Sequence, residues 1–271
     1  MGMLEVRNVS KRFGSNQVID NLNFAVEEGC IYGFIGENGA GKTTTMKMIL
    51  GLYTTDEGEI WVNGERVIYG QNRTNKYIGY LPDVPEFYGY MTPREYLKLC
   101  GDITGVPKRV LGSRIDETLN LVGLKSGKRI QGFSRGMKQR LGIAQALLNK
   151  PKLLICDEPT SALDPVGRKE ILDILTEAKK ETTVIFSTHI LTDVERICDN
   201  IGILNKGNLV YEGTMEDVRK ASHSHSVSLD FDSEYEMDRA LETLSNSDVT
   251  VKRICKNEEK LEEFFMEVTG K

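Results

Sequence analysis

The sequence predicts an α/β protein: a P-loop core with a mostly parallel sheet, an N-terminal antiparallel β subdomain, a helical insertion and a small C-terminal α+β appendage. Three observations carry that class. "CIYGFIG" and "KLLICDE" are continuous apolar runs ending in Gly or in acids, as strands buried on both faces do. "KLLICDE", a helix opening at Asp164-Pro165 and "TTVIFSTH" repeat a strand–helix–strand rhythm. A glycine-rich "GENGAGKT" stands between a predicted strand and a predicted helix.

Taken in order, "LEVRNVS" and "VIDNLNFAV" alternate apolar and polar residues and predict half-buried strands. "CIYGFIG" is a buried strand, and a helix follows from about Lys42 to Leu50. In "GEIWVNGERV", Asn63-Gly64 between two strand-like runs predicts a hairpin. From about Tyr90 to Leu148 the pattern turns helical: Thr92 as N-cap, Pro93 at the first helical position and Glu95 closing a capping box start one helix. Met137, Leu141, Ala144 and Leu148 share one face of another. Beyond about Ser222, "SVSLDF" and "VTVKRI" alternate. Met237, Leu241 and Leu244, then Leu261, Phe264, Phe265 and Val268, make apolar helix faces. The expected division is therefore 1–221, with its helical part at about 90–148, and an acidic appendage at 222–271.

Composition narrows the function. With 39% hydrophobic and 28% charged residues the chain reads as an ordinary globular protein. No run approaches the ~20 apolar residues of a membrane span, and the first residues lack a secretory signal, so a cytosolic location is expected. Gly2 does not open a myristoylation motif, because the sixth residue is Val6. Five scattered cysteines without a C-x-x-C pair read as small buried hydrophobes. Residues 227–271 carry 12 acidic and 6 basic side chains, leaving 28 acidic and 29 basic elsewhere. A near-neutral body with an acidic tail is a poor match for nucleic acid.

The chemistry is concentrated in two motifs. "GENGAGKT" fits G-x-x-x-x-G-K-T, whose glycines let backbone N–H groups turn around phosphate oxygens. Gly36, Glu37, Asn38, Gly39, Ala40 and Gly41, with Lys42, Thr43 and Thr44, form the nucleotide cradle. Lys42 reaches the β- and γ-phosphates and the Thr43 hydroxyl binds Mg²⁺. "LLICDE" is a buried strand ending in two carboxylates. Asp157 suits an Mg²⁺ contact, usually through water, and Glu158 stands where it can take a proton from an attacking water.

On these motifs and their order, the chain resembles the nucleotide-binding subunit of ATP-binding cassette (ABC) transporters over about residues 3 to 217. The resemblance implies ATP and Mg²⁺ as cofactors and several further roles. Phe13, in "KRFG", stacks on adenine; His189, in "STHI", contacts the γ-phosphate; Asp164, in "SALD", lies near a partner chain. "FSRGM" occupies the place of the family's L-S-G-G-Q signature. Through Ser134 and Gly136 it would bind the γ-phosphate of ATP held by the other subunit, so catalysis requires two nucleotide-binding subunits face to face.

Two departures stand out. Arg135 replaces the first signature glycine and Met137 the usual Gln; Arg135 either adds a charge-assisted phosphate contact or points into solvent. Asp83, in "YLPD", stands where the family usually has Gln, and as a carboxylate it can ligate Mg²⁺ but cannot donate a hydrogen bond. Phe87, Tyr88, Tyr90 and Met91 follow it, as core packing or as a groove for a membrane subunit.

Rival readings are weaker. A GTPase would need N-K-x-D, but "NKGN" has Asn208 at the last place and reads as a hairpin. A soluble ABC-type ATPase acting on ribosomes or DNA would carry two cassettes or long inserts. A binding-only regulator needs no base at Glu158. The expected function is ATP hydrolysis powering a separately encoded transmembrane permease, at the inner face of the cell membrane. The second nucleotide-binding subunit is a copy or a paralogue. "YLP" before an acid, an "FSxGM" signature and a C-terminal extension resemble bacterial drug and antimicrobial-peptide exporters, which favours export.

Overall fold

Alternation builds the first layer. In the computed structural model, which describes residues 2–125, 127–221 and 233–245, β1 (Leu4–Phe13) buries Leu4, Val6 and Val9. Val6 and Val9 are three apart, so strict alternation would send one of them outward; a register shift between them, with Asn8 at φ 50°, keeps both inside. β1 pairs antiparallel with β2 (Asn16–Val26) and with β4 (Glu57–Val62). The Asn63-Gly64 turn has both residues left-handed, φ 49° and 75°, which closes a two-residue hairpin onto the short β5 (Glu65–Arg66).

The second sheet has the order β10-β9-β3-β8-β7-β6. Its central strand, β3 (Ile31–Ile35), leads into α1 (Lys42–Ile49). β6 (Ile78–Leu81), β7 (Leu153–Asp157), β8 (Thr183–Thr188) and β9 (Asn200–Asn205) run parallel to β3, while β10 (Asn208–Thr214) turns back antiparallel. The β9–β10 turn is the "NKGN" hairpin, with Lys206 and Gly207 at φ 47° and 84°.

Side chains of these strands leave alternately to two cores. Tyr32, Phe34, Leu153, Ile155 and Ile185 meet the antiparallel sheet and Met46 and Ile49 of α1. Ile31, Ile35, Leu154, Cys156, Val184 and Phe186 face the helices on the other side. That helical side holds α2 (Pro93–Ile103), α3 (Lys108–Leu121) and α4 (Arg135–Leu147), all between β6 and β7 in the chain. It also holds α5 (Pro165–Ala178) and α6 (Leu191–Ile197); α7 (Met215–Ala221) follows β10. The capping box that starts α2 forms: Glu95 N–H donates to Thr92 Oγ1 over 3.3 Å, and Thr92 N–H to the Glu95 carboxylate over 2.8 Å.

Cys30, Cys156 and Cys198 are buried and Cys100 is half-buried; burial pushes the Cys156 and Cys198 thiols up. Cys255 lies outside the described residues. Of the expected C-terminal pattern, the helix carrying Met237, Leu241 and Leu244 is α8 (Glu234–Ser245); "SVSLDF", "VTVKRI" and the Leu261–Val268 face lie outside the described residues. No helix among the described residues is long and apolar enough to cross a membrane.

Candidate active site

Parallel pairing sets the site. Ile35 of β3 lies beside Thr188 of β8, and Asp157 of β7 beside Ser187, so the carboxyl ends of three adjacent strands converge. Open α/β sheets bind ligands at such strand ends. Gly36 to Gly41 leave β3 there. Gly41 is at φ 112°, and a Cβ on it would stand 2.4 Å from Ile19 Cδ1; a Cβ on Gly36 would stand 2.6 Å from the Leu204 carbonyl oxygen. The loop is also tied to the β9–β10 turn, because Gly207 N–H donates to the Ala40 carbonyl over 3.0 Å. Ala40 is buried, Glu37 and Asn38 are exposed, Gly39 turns at φ 85°, and Thr44 is half-buried.

α1 begins with no side-chain cap and no acidic residue in its first turn. Its first N–H groups, which have no intrahelical acceptor, are thus left to an anion. Lys42, 5% exposed, folds its ammonium into the loop and donates to the Gly36 and Glu37 carbonyls over 2.6 and 3.1 Å. Thr43 Oγ1 donates to Asp157 Oδ2 over 2.7 Å, and Ser187 Oγ donates to Asp157 Oδ1 over 2.6 Å. Glu158 follows in a left-handed backbone, φ 48°, with its N–H on Ser187 Oγ at 3.0 Å. That strained turn aims its carboxylate back over the strand ends.

Glu158 Oε2 meets His189 Nδ1 at 2.9 Å. Its Oε1 lies 3.1 Å from Lys42 Nζ as an ion pair yet receives no aligned hydrogen bond, which leaves a buried acceptor open. An ionised carboxylate only accepts, so His189 donates to it from Nδ1. Phe13 is 45% exposed, with Tyr53 edge-on at 5.5 Å between ring centres and Lys11 Nζ 5.4 Å from its ring.

These residues fit a nucleotide with its Mg²⁺. The cradle admits no Cβ at Gly36, a lysine stands inside it, and a hydroxyl–carboxylate couple supplies the hard oxygen donors Mg²⁺ prefers. No group of three or more His, Cys, Asp or Glu suited to a metal occurs among the described residues. Mg²⁺ held mostly by substrate phosphates and water needs no such cage.

The signature stretch stands elsewhere in the fold. Ser134 N-caps α4: its hydroxyl accepts from Met137 N–H over 3.3 Å and its carbonyl from Lys138 N–H over 3.0 Å. A Cβ on Gly136 would meet nothing closer than Leu163 Cδ2 at 3.8 Å. Nothing in this chain's own packing requires glycine there. Arg135 is half-exposed, and its guanidinium pairs with Asp83 at 3.4 Å. Asp83 in turn is outside the hydrogen-bonded Thr43–Asp157 couple. Burial pushes its carboxyl pKa up, the Arg135 charge pulls it down, and Asp157 and Glu158 add to the rise. The aromatic loop divides: Phe87 packs edge-on against Tyr96 at 5.0 Å and Met91 joins the core, whereas Tyr88 and Tyr90 are 54% and 65% exposed.

Sequence reasoning missed the supports. Asp193, buried on α6, accepts from Thr160 Oγ1 over 2.6 Å and from Arg168 Nη2 over 2.8 Å. One carboxylate thus clamps the turn after Glu158, the helix after Asp164 and the helix after His189. Ser187, inside "FSTH", is the hydroxyl that joins Asp157 to the Glu158 backbone; its place beside the histidine was the only signal available.

The family described as ABC transporter matches residues 19–161. Among curated relatives, the ABC transporter ATP-binding protein YxlF of Bacillus subtilis (strain 168) is 42% identical over 229 residues, covering 84% of this chain and 76% of that one. The bacitracin transport ATP-binding protein BcrA of Bacillus licheniformis is 41% identical over 227 residues, covering 82% of this chain and 73% of that one. Among solved structures, CbiO1 of Clostridium perfringens, part of the ABC transporter complex cbiONQ, superposes with a TM-score of 0.75 at 25% identity, covering 89% of this chain and 95% of that one. The chain belongs to the ABC transporter family, as an ATP-binding subunit that hydrolyses ATP with Mg²⁺.

Proposed function

We propose that this chain forms a two-chain ATPase, each nucleotide lying between the cradle of one copy and the α4 start of another, and that it powers a separately encoded membrane permease. The observation that carries the reading is the mismatch at Gly136, a glycine that its own chain's packing does not need, at a helix start whose first residues, Ser134 and Arg135, stay exposed. In this reading the Lys42 ammonium leaves the Gly36 and Glu37 carbonyls for the β- and γ-phosphates. Gly36 through Thr44 surround the phosphates, and Phe13 offers its exposed ring to adenine.

Thr43 and Asp157 hold Mg²⁺, with Asp83 as a further candidate; the bound metal would neutralise negative charge on the phosphoryl oxygens. Glu158 accepts the proton of the attacking water at its open Oε1 side, while His189 steadies Oε2 and contacts the γ-phosphate. Ser134 and Gly136 of the second copy complete the γ-phosphate pocket from the other side, and Asp164 lies near the contact. The second subunit is this chain or a paralogue.

The ATPase body is assigned to residues 1–221, its helical part to about 90–148, and 222–271 to an appendage. Tyr88 and Tyr90 are exposed at the edge of that helical part and offer an aromatic surface to the permease, which supports a position at the inner face of the cell membrane. Kinship with a bacitracin transport protein supports export of drugs, peptides or lipids. The test is affinity capture of the tagged chain from detergent-solubilised membranes. Recovery of one integral membrane protein in fixed ratio is expected; recovery with ribosomes and no membrane protein contradicts the reading.

A further inference from the structure

Two of the three positions at which this chain departs from the family's usual residues, Asp83 and Arg135, are paired with each other. Arg135 Nη2 stands 3.4 Å from Asp83 Oδ1, with the side chains 44% and 49% exposed. The loop carrying Asp83 is fixed to α4 independently, because fully buried Gln139 donates Nε2 to the Asp83 carbonyl over 2.7 Å. The backbone is therefore held, and the half-exposed carboxylate–guanidinium contact is the exchangeable part. Exposed ion pairs of this kind are weak.

Each partner is in conflict with its other neighbours. Arg135 is the first residue of α4, where the helix dipole disfavours a cation, and no acidic residue of the first turn offsets it. Its charge is satisfied by Asp83 or by an anion arriving at the helix start. Asp83 lies within the negative field of Asp157 and Glu158, which acts against Arg135 on its charge. Asp83 thus spans the site where this chain holds its own nucleotide and the surface that completes another.

We propose that Asp83 and Arg135 form an intrachain switch, in which Arg135 is the cation that closes on the γ-phosphate of ATP held by a second copy of this chain and Asp83 restrains it until the chain's own site is filled. The proposal rests on the two-chain reading above. When nucleotide and its cation offset the charge of Asp157 and Glu158, Asp83 turns inward and Arg135 is released toward the partner. Ties between the two halves then run through one exchange of ion-pair partner, without movement of the Gln139-held backbone.

The experiment uses the full chain with Glu158 intact and reads pairing by sedimentation velocity across concentrations of a non-hydrolysable ATP analogue with Mg²⁺. Arg135→Ala is expected to raise the analogue midpoint for pairing about tenfold, as loss of a charge-assisted phosphate contact does. It should leave binding of a fluorescent ATP analogue to the dilute single chain unchanged within about twofold. Asp83→Ala is expected to lower the pairing midpoint about two- to fivefold, because Arg135 is no longer restrained. The double variant should match Arg135→Ala alone. An Asp83→Ala effect that persists undiminished without Arg135, or an unchanged midpoint in Arg135→Ala, overturns the proposal alone. Failure of the chain without these substitutions to pair at all overturns the two-chain reading and the proposal with it.

Discussion

The cradle around Lys42 and the start of α4 are both helix N-termini to which the proposed reading brings phosphate, yet they are built in opposite ways. The cradle is enclosed: Gly36 admits no Cβ against the Leu204 carbonyl, Gly41 turns at φ 112°, Lys42 is held by two carbonyls, and Asp157 is buried between two hydroxyls. The α4 start is open, with Ser134 and Arg135 exposed and Gly136 unopposed within the chain. A site over-determined by its own chain is a place where that chain binds. An exposed helix start with a glycine that its own chain does not need is, on the two-chain reading, a surface offered to another copy.

The largest effect expected from breaking this contrast is chemical. Glu158→Gln keeps the shape and removes the proton acceptor, so turnover should fall at least about 100-fold while ATP binding persists. Steady-state ATPase assays beside equilibrium binding measure both. Wild-type turnover in this variant would remove Glu158 from the chemistry.

Next comes the pair of glycines. Gly41→Ala forces a left-handed alanine against Ile19 and should cost about 2 to 4 kcal/mol of stability in denaturant unfolding. Gly136→Ala should be neutral or stabilising by up to about 1 kcal/mol, since alanine favours helix. It should nevertheless weaken ATP-driven pairing of the Glu158→Gln chain at least about tenfold, as overpacking at a tight contact does. Equal stability losses at the two positions would abolish the distinction.

Asp193→Asn tests whether the enclosed side depends on its clamp. Loss of charge-assisted bonds to Arg168 and Thr160 should cost about 2 kcal/mol. It should also lower kcat several-fold with KM unchanged, because the segment bearing Glu158 loosens while the cradle does not. The smallest effect is expected at the edge: Tyr88→Ser with Tyr90→Ser should change stability by less than about 0.5 kcal/mol. The same variant should lose the membrane protein captured with wild type.

The contrast also explains what could be read from residues alone. The cradle, the Thr92-Pro93-Glu95 cap, the Asn63-Gly64 turn and the Ser134 cap depend on neighbours within a few positions, so local rules suffice. The open acceptor on Glu158 and its link to His189 depend on β7 and β8 lying side by side, which the strand rhythm implied without showing the atoms. Asp83 with Arg135, and Asp193 with Thr160 and Arg168, join charges from distant segments at no periodic spacing. Such pairs exist only once the sheet and helices are assembled, and Arg135 therefore looked like a choice between phosphate and solvent. The expected appendage is legible in the described residues only as α8.

The central claim is most directly tested by the ATPase rate per chain as purified protein is diluted at saturating Mg²⁺-ATP. A shared site predicts a rate that rises with the square of concentration when dilute and falls toward zero per chain. A full, concentration-independent rate per chain under the same dilution would contradict it.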